Sequence, residues 1–296
     1  MKTYTITIEG VPQRYHVAGA GPVCLVHSGG PGLGWQYLRM PAVEQHLTLV
    51  YLEPIGTGDS GRLADPREYN LDTYTRYLHG VVEHLDLPQV LLLGHSHGGF
   101  VAQKYALAHA DRLSGLILYD TSPVTGADFW PDAMANLQLL KHRHPVRPEV
   151  ASVIQALPEA LATTDDEAFT EAFRRLFPAY FADYWRHEAE LAPLRARVRA
   201  WIGPMRGEEP QPFDLRAELR SLTLPALILA GKYDFICGPR WAQLLHEAIH
   251  DSQLVTFTDS GHMAHLEQVA EFATTITQFA DRLARDSGRT GARVAE

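Results

Sequence analysis

The pentapeptide Gly94-His95-Ser96-His97-Gly98 directly follows an apolar run ending at Leu93. A short continuous apolar run is typical of a buried parallel strand, and the residues after the pentapeptide favour a helix to about His109. Gly-x-Ser-x-Gly between a strand and a helix predicts a tight turn, because Cβ atoms at the outer positions would collide with neighbouring backbone. Such a turn lifts the Ser96 hydroxyl clear of the sheet, so we expect Ser96 to be a nucleophile.

Further apolar runs, bounded by Gly, Pro or polar residues, predict strands that alternate with helices along the chain. This alternation predicts an α/β fold with a mostly parallel sheet flanked by helices, in which the loops after the strands share one edge. The first ten residues alternate apolar and polar side chains, which predicts an edge strand. The predicted strands cover residues 1–10, 14–18, 23–26, 49–52, 90–93, 113–119, 224–230 and 254–257.

The alternation stops between about residues 125 and 213, where the sequence becomes helical and is interrupted by prolines. We interpret this segment, called the predicted cap below, as a helical insertion into a core formed by residues 1–124 and 214–296. Its many aromatic side chains should mostly pack the insertion onto the core, while a few line the roof of a pocket. The candidates for substrate contact are Phe177, Tyr180 and Trp185.

Charge and composition exclude several classes of partner. A formal net charge of -9 without a basic stripe disfavours nucleic acid. No run reaches the roughly 18 apolar residues that span a bilayer, and the first strand does not resemble a leader peptide, so no membrane association is expected. The two cysteines, Cys24 and Cys237, have no metal-ligand or redox spacing, which suits a reducing cytoplasm. A thiol nucleophile is a weaker alternative, and the oligomeric state stays open.

A serine hydroxyl needs a base to become nucleophilic, and the base needs a carboxylate to orient it. Asp234 lies just after one predicted strand, and His262 lies just after the last strand, 28 residues further on. The order Ser96, Asp234, His262 predicts a catalytic triad. Asp120, at the end of another strand, is a rival for the acid, whereas His265 is expected to be packed or solvated.

Acyl transfer also needs N–H groups that stabilise the oxyanion. One donor normally follows the nucleophile, here His97, and the other comes from a loop after an early strand. The segment His27-Ser28-Gly29-Gly30-Pro31-Gly32 follows the strand at residues 23–26 and lets backbone approach a substrate without side chains in the way. We therefore expect an oxyanion hole formed by Gly29, Gly30 and His97.

The histidines His27, His95 and His97 invite a metal-binding interpretation. They lie on two different loops, and no His-Glu-x-x-His or comparable ligand set is present. The predicted chemistry requires neither a metal nor an organic cofactor, and the expected partner is a small-molecule substrate.

Together these motifs resemble the proline iminopeptidase branch of the α/β-hydrolases. The resemblance rests on Gly29-Gly30-Pro31-Gly32, on the turn from Glu53 to Ser60, and on the segments around Ser96, Asp234 and His262. It covers the core well and the predicted cap less well. It implies an α/β-hydrolase fold and a serine hydrolase that works through an acyl-enzyme.

Two departures from that branch bear on the geometry of the oxyanion hole and on the substrate. The loop His27-Ser28-Gly29-Gly30 is one residue longer than the usual His-Gly-Gly, a length closer to that of carbon-carbon bond hydrolases. The resemblance also implies a cap glutamate that pairs with the free amine of a peptide, where this chain has Phe177. A buried ammonium without a carboxylate would be costly. The second departure favours an ester, lactone or amide of a small molecule.

Three alternatives remain at this stage. Proline iminopeptidase activity is the nearest, because Glu171 or another acid of the predicted cap could supply the amine anchor. A non-catalytic ligand receptor on the same fold would keep the triad without using it for turnover. A cofactor-independent oxygenase or lyase on this scaffold is the third, whereas hydrolases of the fold that use an aspartate nucleophile are excluded by Ser96.

Overall fold

The computed structural model describes the backbone of residues 1–205 and 213–293 and the side chains of residues 1–204 and 213–286. Eight strands form one sheet in the order β1-β2-β4-β3-β5-β6-β7-β8. The pairs β1–β2 and β2–β4 are antiparallel, and all other pairs are parallel. The strands are β1 Lys2–Ile8, β2 Val11–Gly19, β3 Val23–His27, β4 Thr48–Glu53, β5 Val90–His95, β6 Leu113–Tyr119, β7 Ala226–Gly231 and β8 Ser252–Phe257.

The helices within the described residues fall between and after these strands, as the alternation predicts. Short 3₁₀ turns supplement them, and β1 is an edge strand as expected. The α-helices are α1 Leu71–His84, α2 His97–Ala108, α3 Phe129–Gln138, α4 Leu140–Arg143, α5 Val150–Ala162, α6 Asp166–Leu176, α7 Glu188–Arg197, α8 Ile202–Met205, α9 Arg216–Leu219, α10 Pro239–Ala248, α11 Ala264–Glu267 and α12 Val269–Arg293.

The central strand β5 is buried along its whole length because helices cover both faces of the sheet. Successive side chains of a strand point to opposite faces. Leu91 and Leu93 pack on one side with Phe272 and Ile276 of α12, while Leu92 packs on the other side with residues of α1, α2 and α10. The continuous apolar run therefore serves two separate cores.

Parallel pairing brings the carboxyl ends of β3, β5, β6, β7 and β8 to one edge of the sheet. The loops that follow these strands contain every residue expected to take part in chemistry. Between residues 125 and 205 the structure has helices and turns, and α3 to α8 lie there. The division into a core and a predicted cap stays a prediction, and residues 206–212 of that segment lie outside the described residues.

Within residues 1–205 and 213–293, none of the helices combines the length and the apolar character needed to cross a bilayer.

Phe272 is expected to contribute strongly to stability. Its ring is 1% exposed and lies 4.9 Å from the ring of Tyr119 and 5.6 Å from that of Phe257, between centroids. Phe272→Ala should lower the free energy of unfolding by about 3–5 kcal/mol, because it removes buried apolar area and leaves a cavity. Thr274→Ala, at an exposed position of the same helix, should change it by less than about 0.5 kcal/mol. Urea unfolding measures both, and equal losses would contradict the packing described here.

Candidate active site

Ser96 occupies a sharp turn between β5 and α2, with φ 55° and ψ -123°. Its backbone N–H donates to the carbonyl of Tyr119 at 3.0 Å. A Cβ at Gly94 would lie 2.3 Å from the carbonyl oxygen of Gly98, and a Cβ at Gly98 would lie 2.3 Å from that of His27. Glycine is therefore required on both sides of Ser96 for the turn to approach β3.

His262 and Asp234 meet at the loops after β8 and β7. Nδ1 of His262 lies 2.7 Å from Oδ2 of Asp234, and both side chains are buried. The other carboxylate oxygen of Asp234 accepts the N–H of Ile236 at 2.9 Å. This geometry makes Nδ1 the protonated nitrogen and leaves Nε2 of His262 as a base. Ser96 and His262 line the same cavity.

Asp120, the rival acid, is close to this pair without bonding to His262. One of its carboxyl oxygens accepts the N–H of Gly231 at 2.8 Å, and the residue is 1% exposed. Burial, followed by the negative charge of Asp234, raises the pKa of Asp120 well above its ordinary value. The geometry thus favours Asp234 as the partner of His262, while Asp120 is held by the Gly231 N–H.

Potential metal ligands converge only where these groups already meet, as far as the described residues go. His95, Asp120 and His262 each have a ligand atom within 4.8 Å of the others. Nδ1 of His262 is bonded to Asp234, and the ring nitrogens of His95 are bonded to the Tyr37 hydroxyl and the His262 carbonyl at 2.8 and 3.0 Å. A metal ion would have to replace those bonds, so a hydrogen-bonded cluster accounts for the arrangement.

The structure corrects the oxyanion prediction at Gly29. Its N–H donates to the hydroxyl of Tyr37 at 2.7 Å and is therefore already used. Among the described residues, the N–H groups of Gly30 and His97 meet no acceptor, so they fit the predicted role. Gly29 has a steric role instead, since a Cβ there would lie 2.8 Å from Cβ of Ser96.

The cavity over Ser96 has a volume of about 670 Å³ and a mostly aromatic and aliphatic wall. Phe177 and Tyr180 line it, as expected for substrate-contacting residues. Trp185 does not, and the prediction for this residue was wrong. The indole, in the 3₁₀ turn Tyr184–Arg186, packs instead against the ring of His144, 4.7 Å away between centroids.

The charges on the cavity wall are all positive within the described residues. Arg39, Arg197 and Arg199 line it, and no described aspartate or glutamate does. Glu171, the expected alternative anchor for an amine, pairs with Arg174 on the surface of α6. The described part of the wall thus offers an ammonium group no carboxylate.

The cysteines do not provide an alternative nucleophile. Cys24 and Cys237 are both buried, and burial raises the pKa of the Cys24 thiol to about 12 and that of Cys237 well above its ordinary value. A thiol in that state is not the reactive thiolate.

Glu267 is a residue that the sequence motifs do not identify. Its carboxylate accepts the N–H of Ala182 and the N–H of Gly261, each at 2.7 Å. The N–H of His262 in turn donates to the carbonyl of Tyr180 at 2.7 Å. The residue before the base and a stretch of the predicted cap are therefore held by one carboxylate. The only indication in the sequence of a role for Glu267 is its position shortly after His262.

Comparisons with known proteins show the family of this chain. A model of the alpha/beta hydrolase fold family matches residues 21–269, so the chain belongs to that family and is a hydrolase. The 2-hydroxymuconate semialdehyde hydrolase of Pseudomonas sp. (strain CF600) is 26% identical over 278 residues, covering 93% of this chain and 92% of the relative. The proline iminopeptidase of Saccharolobus solfataricus is 27% identical over 316 residues, covering 96% of each.

Solved structures support the same fold. The proline iminopeptidase of Mycobacterium smegmatis has a TM-score of 0.72 at 19% identity, covering 97% of this chain and all of that one. The enol-lactonase of Burkholderia xenovorans LB400 has a TM-score of 0.71 at 19% identity, covering 94% and 100%. The α/β-hydrolase fold and the similarity to proline iminopeptidases expected from the sequence are thus confirmed.

The two acids should respond differently to amidation. Asp234→Asn should lower kcat by about 10⁴-fold, because an amide next to Nδ1 favours the wrong tautomer of His262. Asp120→Asn should stay within about tenfold of wild type, because an amide resembles a neutral carboxyl and can still accept the Gly231 N–H. Steady-state kinetics on an ester, with melting temperatures as the check on folding, separates the two. If Asp120→Asn lowers kcat as much as Asp234→Asn does, Asp120 would be assigned the role of the acid that orients His262.

Glu267 should also impose a pH dependence on stability. Burial raises its pKa from 4.5 to about 7, so the folded protein holds this proton more tightly than the unfolded chain. The resulting stabilisation is complete below about pH 4.5 and is lost as the pH rises to about 7. Wild type and Glu267→Gln are therefore compared in their free energies of unfolding. The excess stability of the wild type should decrease between about pH 4.5 and about pH 7. Urea titrations at several pH values measure the difference, which a flat profile would contradict.

Proposed function

We propose that the protein hydrolyses an ester, lactone or amide bond of a small molecule through a Ser96-His262-Asp234 triad and an acyl-enzyme. The observation that carries the proposal is the 2.7 Å bond between His262 and Asp234, with Nε2 of His262 and the turn at Ser96 at one cavity. The names of relatives that hydrolyse carbonyl compounds support the reaction class.

In the first half of the reaction, Nε2 of His262 takes the hydroxyl proton as Oγ of Ser96 attacks the carbonyl carbon. The oxyanion accepts hydrogen bonds from the N–H groups of Gly30 and His97. The imidazolium, held by Asp234, then gives its proton to the leaving group as the acyl-enzyme forms. His262 then deprotonates a water that attacks the acyl-enzyme, and the imidazolium returns this proton to Oγ of Ser96 as the acid product leaves.

The cavity wall favours a neutral or anionic substrate. Placing an ammonium there would remove it from water without a carboxylate partner, at a cost of several kcal/mol. The three arginines at the wall would add repulsion. Phe177 contributes apolar surface at the position where the amine anchor was expected, so an acyl group with an apolar or acidic remainder fits better than a free N-terminal proline.

Proline iminopeptidase activity is the competing function, since several relatives of similar length carry that name. It needs an amine anchor from a residue outside the described part of the wall. A receptor without turnover is the remaining alternative.

The proposal is tested by comparing short-chain p-nitrophenyl esters with prolyl p-nitroanilide. We expect ester hydrolysis that falls by about 10⁴–10⁶-fold in Ser96→Ala. Ser221→Ala, at an exposed serine, is the matched control and should retain wild-type rates. Rapid proline release that is lost when the amine is acetylated would replace the proposal with the peptidase. The absence of Ser96-dependent turnover on all substrates would favour the receptor.

A further inference from the structure

Tyr37 and His95 form a buried hydrogen-bond chain, and both line the cavity together with Ser96. The N–H of Gly29 meets the Tyr37 hydroxyl at 2.7 Å, and that hydroxyl lies 2.8 Å from Nδ1 of His95. Nε2 of His95 lies 3.0 Å from the carbonyl oxygen of His262. The chain therefore joins the loop after β3, the last residue of β5 and the loop after β8.

The partners determine the direction of every bond in the chain. The carbonyl of His262 can only accept, so Nε2 of His95 carries the proton and Nδ1 accepts from Tyr37. The Tyr37 oxygen then accepts a hydrogen bond from the Gly29 N–H. His95 is 1% exposed and neutral, since burial and the neighbouring histidines lower its pKa well below the ordinary value. Each donor is thus matched by one acceptor.

Tyr37 is itself fixed from a second side. Nε2 of His265 donates to the Tyr37 carbonyl at 2.8 Å, and Nδ1 of His265 accepts from the Tyr119 hydroxyl at 3.0 Å. The carbonyl of Tyr119 accepts the N–H of Ser96. The backbone of Tyr37 is therefore linked through His265 to the same strand end that supports the nucleophile.

We propose that Tyr37 and His95 are positioning residues for acyl transfer. They hold the loop after β3, which carries Gly29 and Gly30, at a fixed distance from the backbone of His262, with Ser96 between the two. The inference rests on the proposed function. Gly29 lies against the nucleophile, since a Cβ on it would be 3.3 Å from Oγ of Ser96, and the next N–H belongs to Gly30. A shift of Gly29 moves that donor away from the oxyanion. Errors of about 1 Å in such geometry cost on the order of 100-fold in rate.

Tyr37→Phe tests the chain because it deletes the hydroxyl and keeps the ring. The rate constant for labelling of Ser96 by a fluorophosphonate should fall by about 10–100-fold, and kcat for esters should fall similarly while KM stays within about twofold. Tyr184→Phe is the matched control, because the Tyr184 hydroxyl is buried without a hydrogen-bond partner among the described residues. It should label at the wild-type rate.

His95 variants give a second test. His95→Gln keeps a donor and an acceptor and should recover much of the activity that His95→Leu loses. Tyr37→Phe combined with His95→Leu should cost little more than either change alone, because both interrupt one chain. Additive losses, or equal losses in the Gln and Leu variants, would overturn the proposal.

Amide hydrogen exchange separates this inference from the proposed function. The Gly29 N–H should be protected in the wild type and should exchange at least tenfold faster in Tyr37→Phe, whatever the enzyme hydrolyses. If Ser96 of the wild type does not react with the fluorophosphonate, the proposed function is contradicted. Exchange of the Gly29 N–H still tests the Tyr37–His95 hydrogen-bond chain in that case. Unchanged exchange would contradict the chain, and faster exchange with unchanged labelling would contradict the positioning role.

Discussion

The left-handed backbone conformation of Ser96 is the constraint on which the rest of the site depends. A non-glycine residue in such a conformation costs about 1–3 kcal/mol and persists only where its surroundings hold it. Here the carbonyl of Ser96 accepts the Thr121 hydroxyl and the N–H of Gly99, each at 2.8 Å, while its N–H is bonded to Tyr119. The strands β5 and β6 thus fix the nucleophile before any substrate arrives.

The groups around the base differ in how they act on its charge. Asp234 is bonded directly to His262, whereas burial raises the pKa of Asp120 and lowers that of His95, which keeps His95 neutral. The rings of His95 and His262 are 4.4 Å apart between centroids, so a proton on His95 would oppose the imidazolium that forms during acyl transfer. A neutral His95 therefore favours the charged intermediate of the base.

The sequence predicted the sheet, the turn at Ser96 and the placement of Asp234 and His262, because strand periodicity and parallel pairing bring those loops to one edge. It did not separate Asp234 from Asp120, since both follow buried strands and only side-chain direction distinguishes them. Tyr37 and Glu267 were missed because long-range packing, rather than a local motif, gives them their partners. The errors at Gly29 and Trp185 have the same cause, as the Tyr37 hydroxyl and the His144 ring come from distant segments.

The hydrogen bonds at Tyr180 and Ala182 make the helical segment part of the machinery that orients the base. Swapping this segment for that of another hydrolase would replace a backbone carbonyl and an N–H that the loop of His262 uses. In such a chimera, the new segment would have to place a carbonyl and an N–H where Tyr180 and Ala182 now have them, whatever its other residues are. Diversification of substrate range in such a scaffold is therefore easiest at side chains, with the path of this stretch of backbone left intact.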